Sequence, residues 1–358
     1  MTLLAADRRA LIMSEIRVRG SVRVMEIARR VDADPVTVRR DLVKLEQQGY
    51  VTRVHGGAVA PTRQGEGRQY HRPLTIGMIV PTTNYYFPPV IQGATRAAAA
   101  AGARIVLAIS NYDEREEVSL VRRMLASSID GLLFTSARAE CDEELLAQLS
   151  AASIPVCFVE RAVPSLWSDS RLEAVRTDHA AGAAAAVRHL ANLGHRRLFV
   201  AVRSDSATTP WLTQGVHDAV RASPVQLVSA PVLLNGHTGP ARAAELLDLV
   251  FSGSADSIIV HSDQDGIAIQ QAAEARGIEL PEALSMIAYD DEVAALAPVP
   301  LTAVAPPKFD VGATGIAVLM RRLESTNRLV GPALQRITLQ PTLNARLSVE
   351  VWSEPMGR

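Results

Sequence analysis

Apolar positions follow two rhythms along the chain. Over residues 5–59 they recur at helical spacing. Leu11, Ile12 and Ile16 share one side of a first helix, residues 5–19, which Gly20 ends. Ile27 and Ala28 turn inward on a second, residues 25–31. Val38, Leu42 and Leu45 do so on a third, which begins at Pro35. Asp34 stands at the N-cap of that third helix, where a carboxylate accepts a backbone N–H that has no partner in the helix. Pro35 at the first helical position has no such N–H to lose, and Gly49 occupies the C′ position. The opposite side of the helix is left to Val36, Thr37, Arg39, Arg40 and Lys44. Residues 51–53 and 58–59, joined by His55-Gly56-Gly57, predict a tight hairpin.

From Leu74 the rhythm changes to short apolar runs alternating with helices. Runs at 75–80, 104–109, 131–135 and 155–159 predict strands, separated by helices at 90–101, 114–127 and 142–151. The alternation resumes after Asp178. Helices at 179–193, 212–222, 240–252, 264–276 and 309–324 are interleaved with strands at 198–202, 225–234, 257–260 and 285–288. Strand–helix–strand units of this length build right-handed parallel sheets. The interruption at 160–178 predicts two α/β lobes with a cleft between them. Residues 60–73, with Gly65, Gly67 and two prolines, predict a linker.

The length of 358 residues suits two or three domains, and 48% apolar residues can fill their cores. A net charge of −1 conceals a division. Residues 1–73 hold 14 Arg and Lys against 8 Asp and Glu, whereas the remainder holds 23 against 30. A basic head on an acidic body predicts a polyanionic partner at one end. Cys141 and Cys157 make neither a disulfide framework nor a metal-ligand pattern. No leader-like or membrane-spanning run occurs, so a cytoplasmic, soluble protein without membrane attachment is expected. No nucleophile elbow, phosphate-binding loop or dinucleotide fingerprint occurs, and no cofactor is expected. The expectation is a non-enzyme.

A short basic helix with a capped, proline-started N-terminus suits the major groove, with Arg forks reaching base edges or phosphates. In open α/β sheets, ligands bind beyond the carboxyl ends of strands. Those ends carry Asn84, Tyr86 and Phe87, then Glu160-Arg161, then Asp263, then Asp290. Aromatic faces stack on C–H surfaces and charged groups bind hydroxyls strongly, as a polyhydroxylated ligand requires. Taken singly, Glu160-Arg161 could equally be a surface ion pair, and Asp263 and Asp290 helix caps.

The first 60 residues also carry TVRRDL (37–42), then L-E-x-x-G (45–49), then R-x-H-G-G-A (53–58). This string resembles the signature of the DeoR-type winged helix-turn-helix. The resemblance implies operator contacts by Val36, Thr37, Arg39, Arg40 and Lys44, and by Arg53, His55 and Gly56 in the wing. The body is similar to the LacI/GalR-type sensor domain, a relative of periplasmic sugar-binding proteins. It carries IGMIVPTTNYYF, SSIDGLLF, IPVCFVERAV, VRTDHAAGAAAAVRHLANLGHRRLFVA and SMIAYDD. That resemblance implies three crossovers between lobes and an effector in the cleft, most often a sugar. It places Asn84, Tyr86, Phe87, Arg161, Asp263 and Asp290 at effector positions. Two departures stand out. Leu212 occupies a position commonly held by an Arg, with Trp211 beside it as a stacking surface, and His237 replaces an aromatic residue.

The expected domains are 1–60 (reader), 61–73 (linker), 74–348 (sensor) and 349–358 (tail). Within the sensor, lobe 1 is expected at about 74–176 and 304–335, and lobe 2 at about 177–303 and 336–348. The expected function is a homodimeric repressor of a carbohydrate-utilisation operon, binding a double-stranded DNA operator under effector control. The alternatives are a sensor of a sugar phosphate or another metabolite, or an activator. LacI-type regulators resemble one another in a hinge helix that inserts a Leu pair into the minor groove. Residues 60–73 hold no Leu, Ile, Phe or Met, so no such hinge is expected.

Overall fold

The computed structural model describes residues 5–352 except 20, 48–49, 55, 60–72, 140, 169, 237 and 326–331. The chain divides into two compact units, residues 1–72 and 73–358. The expected linker therefore lies almost wholly outside the described residues, as do Gly20, Gly49, His55 and His237.

The first unit follows the helical rhythm closely. Helices α1 (Ala5–Arg19), α2 (Val24–Arg30) and α3 (Pro35–Gln47) bury Ile12, Ile16, Ile27, Ala28, Val38, Leu42 and Leu45 in one core. Strands β2 (Thr52–Val54) and β3 (Gly57–Val59) form the expected hairpin. An additional strand, β1 (Ser21–Arg23), pairs antiparallel with β3, giving a sheet of order β1-β3-β2. Only Val22 of β1 points inward, so three residues could not announce a strand by alternation. The hairpin glycines have separate reasons. Gly56 has φ +82°, in the left-handed region. A Cβ on Gly57 would lie 2.1 Å from the Val22 carbonyl oxygen, inside the contact with β1.

The second unit holds two sheets. The chain builds the first with β4 (Leu74–Val80), α4 (Phe87–Ala100), β5 (Ala103–Ile109), α5 (Glu114–Ala126), β6 (Gly131–Phe134), α6 (Glu143–Ser150), β7 (Val156–Val159) and β8 (Glu173–Thr177). It crosses into the second with α7 (His179–Asn192), β9 (Arg197–Arg203), α8 (Thr209–Arg221), β10 (Gln226–Leu227), β11 (Val232–Leu234), α9 (Pro240–Ser252), β12 (Ser257–Val260), α10 (Asp263–Glu274), β13 (Ser285–Tyr289) and β14 (Thr302–Ala305). It returns with α11 (Lys308–Leu323) and β15 (Arg336–Leu339), and crosses a third time to β16 (Thr342–Asn344). The first sheet is wholly parallel, in the order β15-β8-β7-β6-β4-β5. The second runs β10-β9-β12-β13-β14-β16, with β11 also on β9, and only β16 is antiparallel.

Three expectations are corrected here. The interruption at 160–178 contains β8, whose inward Glu173 hides it from an apolar pattern. That carboxylate is fully buried and accepts Arg321 Nη2 at 3.0 Å and Arg322 Nε at 2.9 Å. The run 225–234 is two short strands rather than one. The third crossover comes at Gln340-Pro341, not after residue 335, because β15 pairs with β8 of the first sheet.

Candidate functional site

In the first unit, α3 presents two different faces. Asp34 accepts the Val36 N–H at 2.6 Å, which is the expected cap. Asp41 faces inward and pairs with the buried Arg8, so the acidic residue of the motif serves packing. Val36, Arg39, Arg40 and Lys44 are exposed on the outer face and Thr37 is half-buried. Arg53 behaves differently from the others. Its backbone N–H (3.1 Å) and Nε (2.6 Å) both donate to Glu46. These bonds hold the Glu46 carboxyl below its ordinary range. Arg53 therefore ties the wing to α3, and its guanidinium is only partly open to a phosphate.

In the second unit, carboxyl ends of strands from both sheets meet at a cleft of about 1230 Å³. Asn84, Tyr86, Phe87, Arg161 and Asp290 all line it. Phe87 is mostly core, and meets the Tyr86 ring edge-on at 5.4 Å. The Tyr86 hydroxyl donates to Glu160 at 2.9 Å. Glu160 also accepts the Thr177 N–H (3.0 Å) and Oγ1 (2.8 Å), and lies 3.6 Å from His179. Burial opposes its charge, but His179 and Thr177 outweigh burial and hold the carboxyl at about 2. Arg161 is anchored to its own lobe through Nε and Nη1. Nε donates to the carbonyls of Ser136 (2.9 Å) and Arg138 (3.2 Å), and Nη1 to that of Glu160 (2.8 Å).

Of the remaining expected residues, Asp263 and Trp211 are not brought to the cleft wall, and His237 lies outside the described residues. Asp263 is fully buried, and its carboxylate accepts the N–H groups of Asp291 (3.2 Å), Glu292 (2.6 Å) and Val293 (2.9 Å). It shapes the loop after β13 instead of facing a ligand. Burial and the neighbouring Asp290 outweigh those three bonds and push it up to about 6. Trp211 stacks under Arg176, with the guanidinium carbon 4.6 Å from its ring centre, and is absent from the cleft lining. Leu212 is wholly buried in the core of the second sheet, so no side chain there reaches a ligand.

Several lining residues escaped the sequence analysis. Tyr85 has φ +56°, and its hydroxyl accepts the Asp263 N–H from the other lobe at 3.3 Å. Tyr112 lies in the turn after β5 and Arg203 is the last residue of β9, where the strand-end rule would have found them. His179 lines the cleft at the first crossover, its Nδ1 3.2 Å from the Tyr289 hydroxyl. Lys308 is buried and donates to the Asp290 carbonyl and to Glu292 (2.6 Å), with its Nζ 5.1 Å from the Tyr86 ring centre. Asp290 and Asp291 are both left-handed, with φ of +99° and +55°. Asp263 and Lys308 together clamp that strained turn from its two sides, which is how such backbone persists at a functional site. No group of three potential metal ligands exists among the described residues. No helix among them is long and apolar enough to cross a membrane.

A three-helix reader with a wing, and a two-lobed sensor with a lined cleft, define a DNA-binding transcription regulator that carries its own sensor. The DeoR-like helix-turn-helix domain family matches residues 8–64, and the periplasmic-binding-protein-like domain family matches 187–349. The chain joins those two domains. The arabinose metabolism transcriptional repressor of Geobacillus stearothermophilus is 24% identical over 307 residues, covering 84% of each chain. A LacI-family regulatory protein from Chloroflexus aggregans superposes with a TM-score of 0.65 at 24% identity, covering 76% of this chain and 98% of that one. A LacI-family regulator from Enterococcus faecium with bound ribose superposes with a TM-score of 0.63 at 20% identity, covering 78% and 100%. The sensor thus has the fold of LacI-family regulators, joined to a reader of a different type.

Proposed function

We propose that the chain is a cytoplasmic, homodimeric repressor of carbohydrate-utilisation genes, released from its operator by a polyhydroxylated effector in the cleft. The observation that carries this reading is Asp290. It is a buried carboxylate on a strained turn that lines the cleft, and no hydrogen bond to its side-chain oxygens occurs among the described residues. Such a group can accept donors from a ligand in the cleft. Tyr85, Tyr86 and Tyr112 supply aromatic faces around it. The named arabinose repressor and the ribose-bound structure support a carbohydrate. Val36, Thr37, Arg39, Arg40 and Lys44 would enter the major groove, and two copies would meet two half-sites. Arg53, His55 and Gly56 would meet the backbone from the wing.

The test is fluorescence anisotropy of the full chain on DNA flanking its own gene, with and without sugars. The expected result is binding that weakens steeply with salt, and at least about tenfold with the cognate sugar. Sugar that tightens DNA binding would assign the opposite sign of regulation. Absence of any specific DNA site would overturn the reading.

A further inference from the structure

The two lobes of the second unit share no apolar core. Each of its clusters of buried apolar side chains lies within a single lobe. Lobes joined only by crossovers and side-chain contacts move relative to one another by default. The contacts between them therefore decide how far the cleft stands open. Most of these sit beside a crossover, where rotation of a lobe displaces them little. His179, 3.6 Å from Glu160, begins α7. Lys308, 2.6 Å from Glu292, begins α11. Arg176, stacked on Trp211, lies at the end of β8.

Among the described residues, one hydrogen bond joins the lobes farther out. The Asp263 N–H, in the first turn of α10, donates to the Tyr85 hydroxyl at 3.3 Å. Tyr85 follows β4, three strands from β8 in the first sheet, and Asp263 follows β12, two strands from β14 in the second. Displacement grows with distance from the axis of rotation, so this bond breaks early when the cleft opens. Tyr85 is also held at φ +56°, where a bulky side chain is rarely found. Such backbone persists where surrounding contacts over-determine it, and the hydroxyl contact fixes the far end of the ring. The bond leads to the site as well. The Asp263 carboxylate accepts the N–H groups of Asp291, Glu292 and Val293, directly after Asp290. Lobe 1 thus reaches, through Asp263, the turn that carries Asp290.

We propose that Tyr85 is a latch between the lobes: its hydroxyl, bonded to the first turn of α10, favours the closed cleft even without an effector. Tyr85 is a positioning residue, acting on the cleft through Asp263. The latch needs no particular compound in the cleft and is independent of the effector's chemistry. An effector adds its own contacts to an equilibrium that already leans towards closure. Without the hydroxyl that lean is lost, and the empty cleft opens more often.

The two cysteines of the chain report this without added labels. Cys141 is half-buried and lines the cleft in lobe 1. Burial pushes its thiol up to about 12, so water entering the cleft raises both its access and its thiolate fraction. Cys157 is wholly buried in the core of the same lobe and reacts only on unfolding. The full-length, effector-free protein and its Tyr85→Phe variant are treated with dithionitrobenzoate under native conditions. Hydrogen exchange of residues 262–264 is followed in parallel by mass spectrometry. The variant should lose protection at Asp263 and react at Cys141 about threefold faster or more, with Cys157 silent in both proteins. A Cys141 rate that is unchanged or slower overturns the latch. Faster reaction at both cysteines marks a general loosening of lobe 1 and overturns it too. So does a faster Cys141 with protection at Asp263 unchanged, because the bond would then not be what holds the lobes.

Discussion

At the scale of single residues, chemistry in the cleft depends on side chains that do not face it. Asp263 holds three N–H groups and Lys308 one carbonyl of the turn that carries Asp290. Replacing Asp263 by Ala leaves three part-buried donors without that partner. Urea denaturation should show a loss of at least about 2 kcal/mol. Asp290→Asn keeps the volume and removes the charge. It should leave the urea midpoint within about 0.5 M of wild type and weaken the effector about tenfold or more, read by calorimetry. Unchanged affinity would make Asp290 a turn residue only. The two buried carboxyls Glu160 and Asp263 titrate with opposite sign. Glu160 is depressed in the fold, to about 2 from an ordinary 4.5. Its contribution is therefore present above about 4.5 and is lost as pH falls towards 2. Asp263 is raised to about 6, so the fold favours its neutral form and stability declines as pH rises from 3.8 to 6. A melting series comparing wild type with Glu160→Gln should show the wild-type advantage shrinking below about pH 4.5. An advantage that grows with acid would reverse that assignment.

At the scale of elements, α3 combines a capped start, a buried stripe and an exposed basic face in 13 residues. Among the described residues Arg39 and Arg40 make no hydrogen bond or ion pair through their side chains, in contrast to Arg53 with Glu46. Arg39→Ala or Arg40→Ala should therefore weaken operator binding by about 1–3 kcal/mol where a base contact is lost. Anisotropy against operator and scrambled DNA separates a base contact from a phosphate contact, since only the former changes their ratio. Equal, wild-type binding by both variants would remove α3 from the interface. The wing has its own sensitivity. Gly57→Ala places a methyl 2.1 Å from the Val22 carbonyl oxygen, so β1 and β3 must separate. Faster hydrogen exchange in residues 21–23 and 57–59 is the expected sign, and unchanged exchange would show that the contact relaxes without cost.

At the scale of the whole molecule, a reader and a sensor of different types share one chain. The segment between them contains no large aliphatic wedge that could enter a minor groove. Effector binding would then act by changing how two heads of a dimer fit two half-sites, a shift in population and not an unkinking of DNA. Circular-permutation gel shift should find little bending at the operator centre, with or without effector. A sharp kink that disappears with effector would restore a hinge mechanism. Loss of effector response on lengthening residues 60–73 with flexible sequence would support the population account.

The helical and strand rhythms, the reader motif, the two-lobed plan and the strand ends that line the cleft were all legible in the residues themselves. These are local properties: spacing decides which face is buried, and a cap or proline decides where a helix starts. Which polar side chain faces the ligand was not local. Asp263 and Asp290 follow neighbouring strands in similar sequence settings, yet one braces a turn and the other lines the cleft. Trp211 stacks beneath Arg176, and Leu212 is buried beside it. Strand β8 was concealed because its buried Glu173 is neutralised by Arg321 and Arg322, more than 140 residues later in the chain. The tertiary structure decided these assignments because a buried polar group goes where its partners are, and partners that distant leave no period in the sequence.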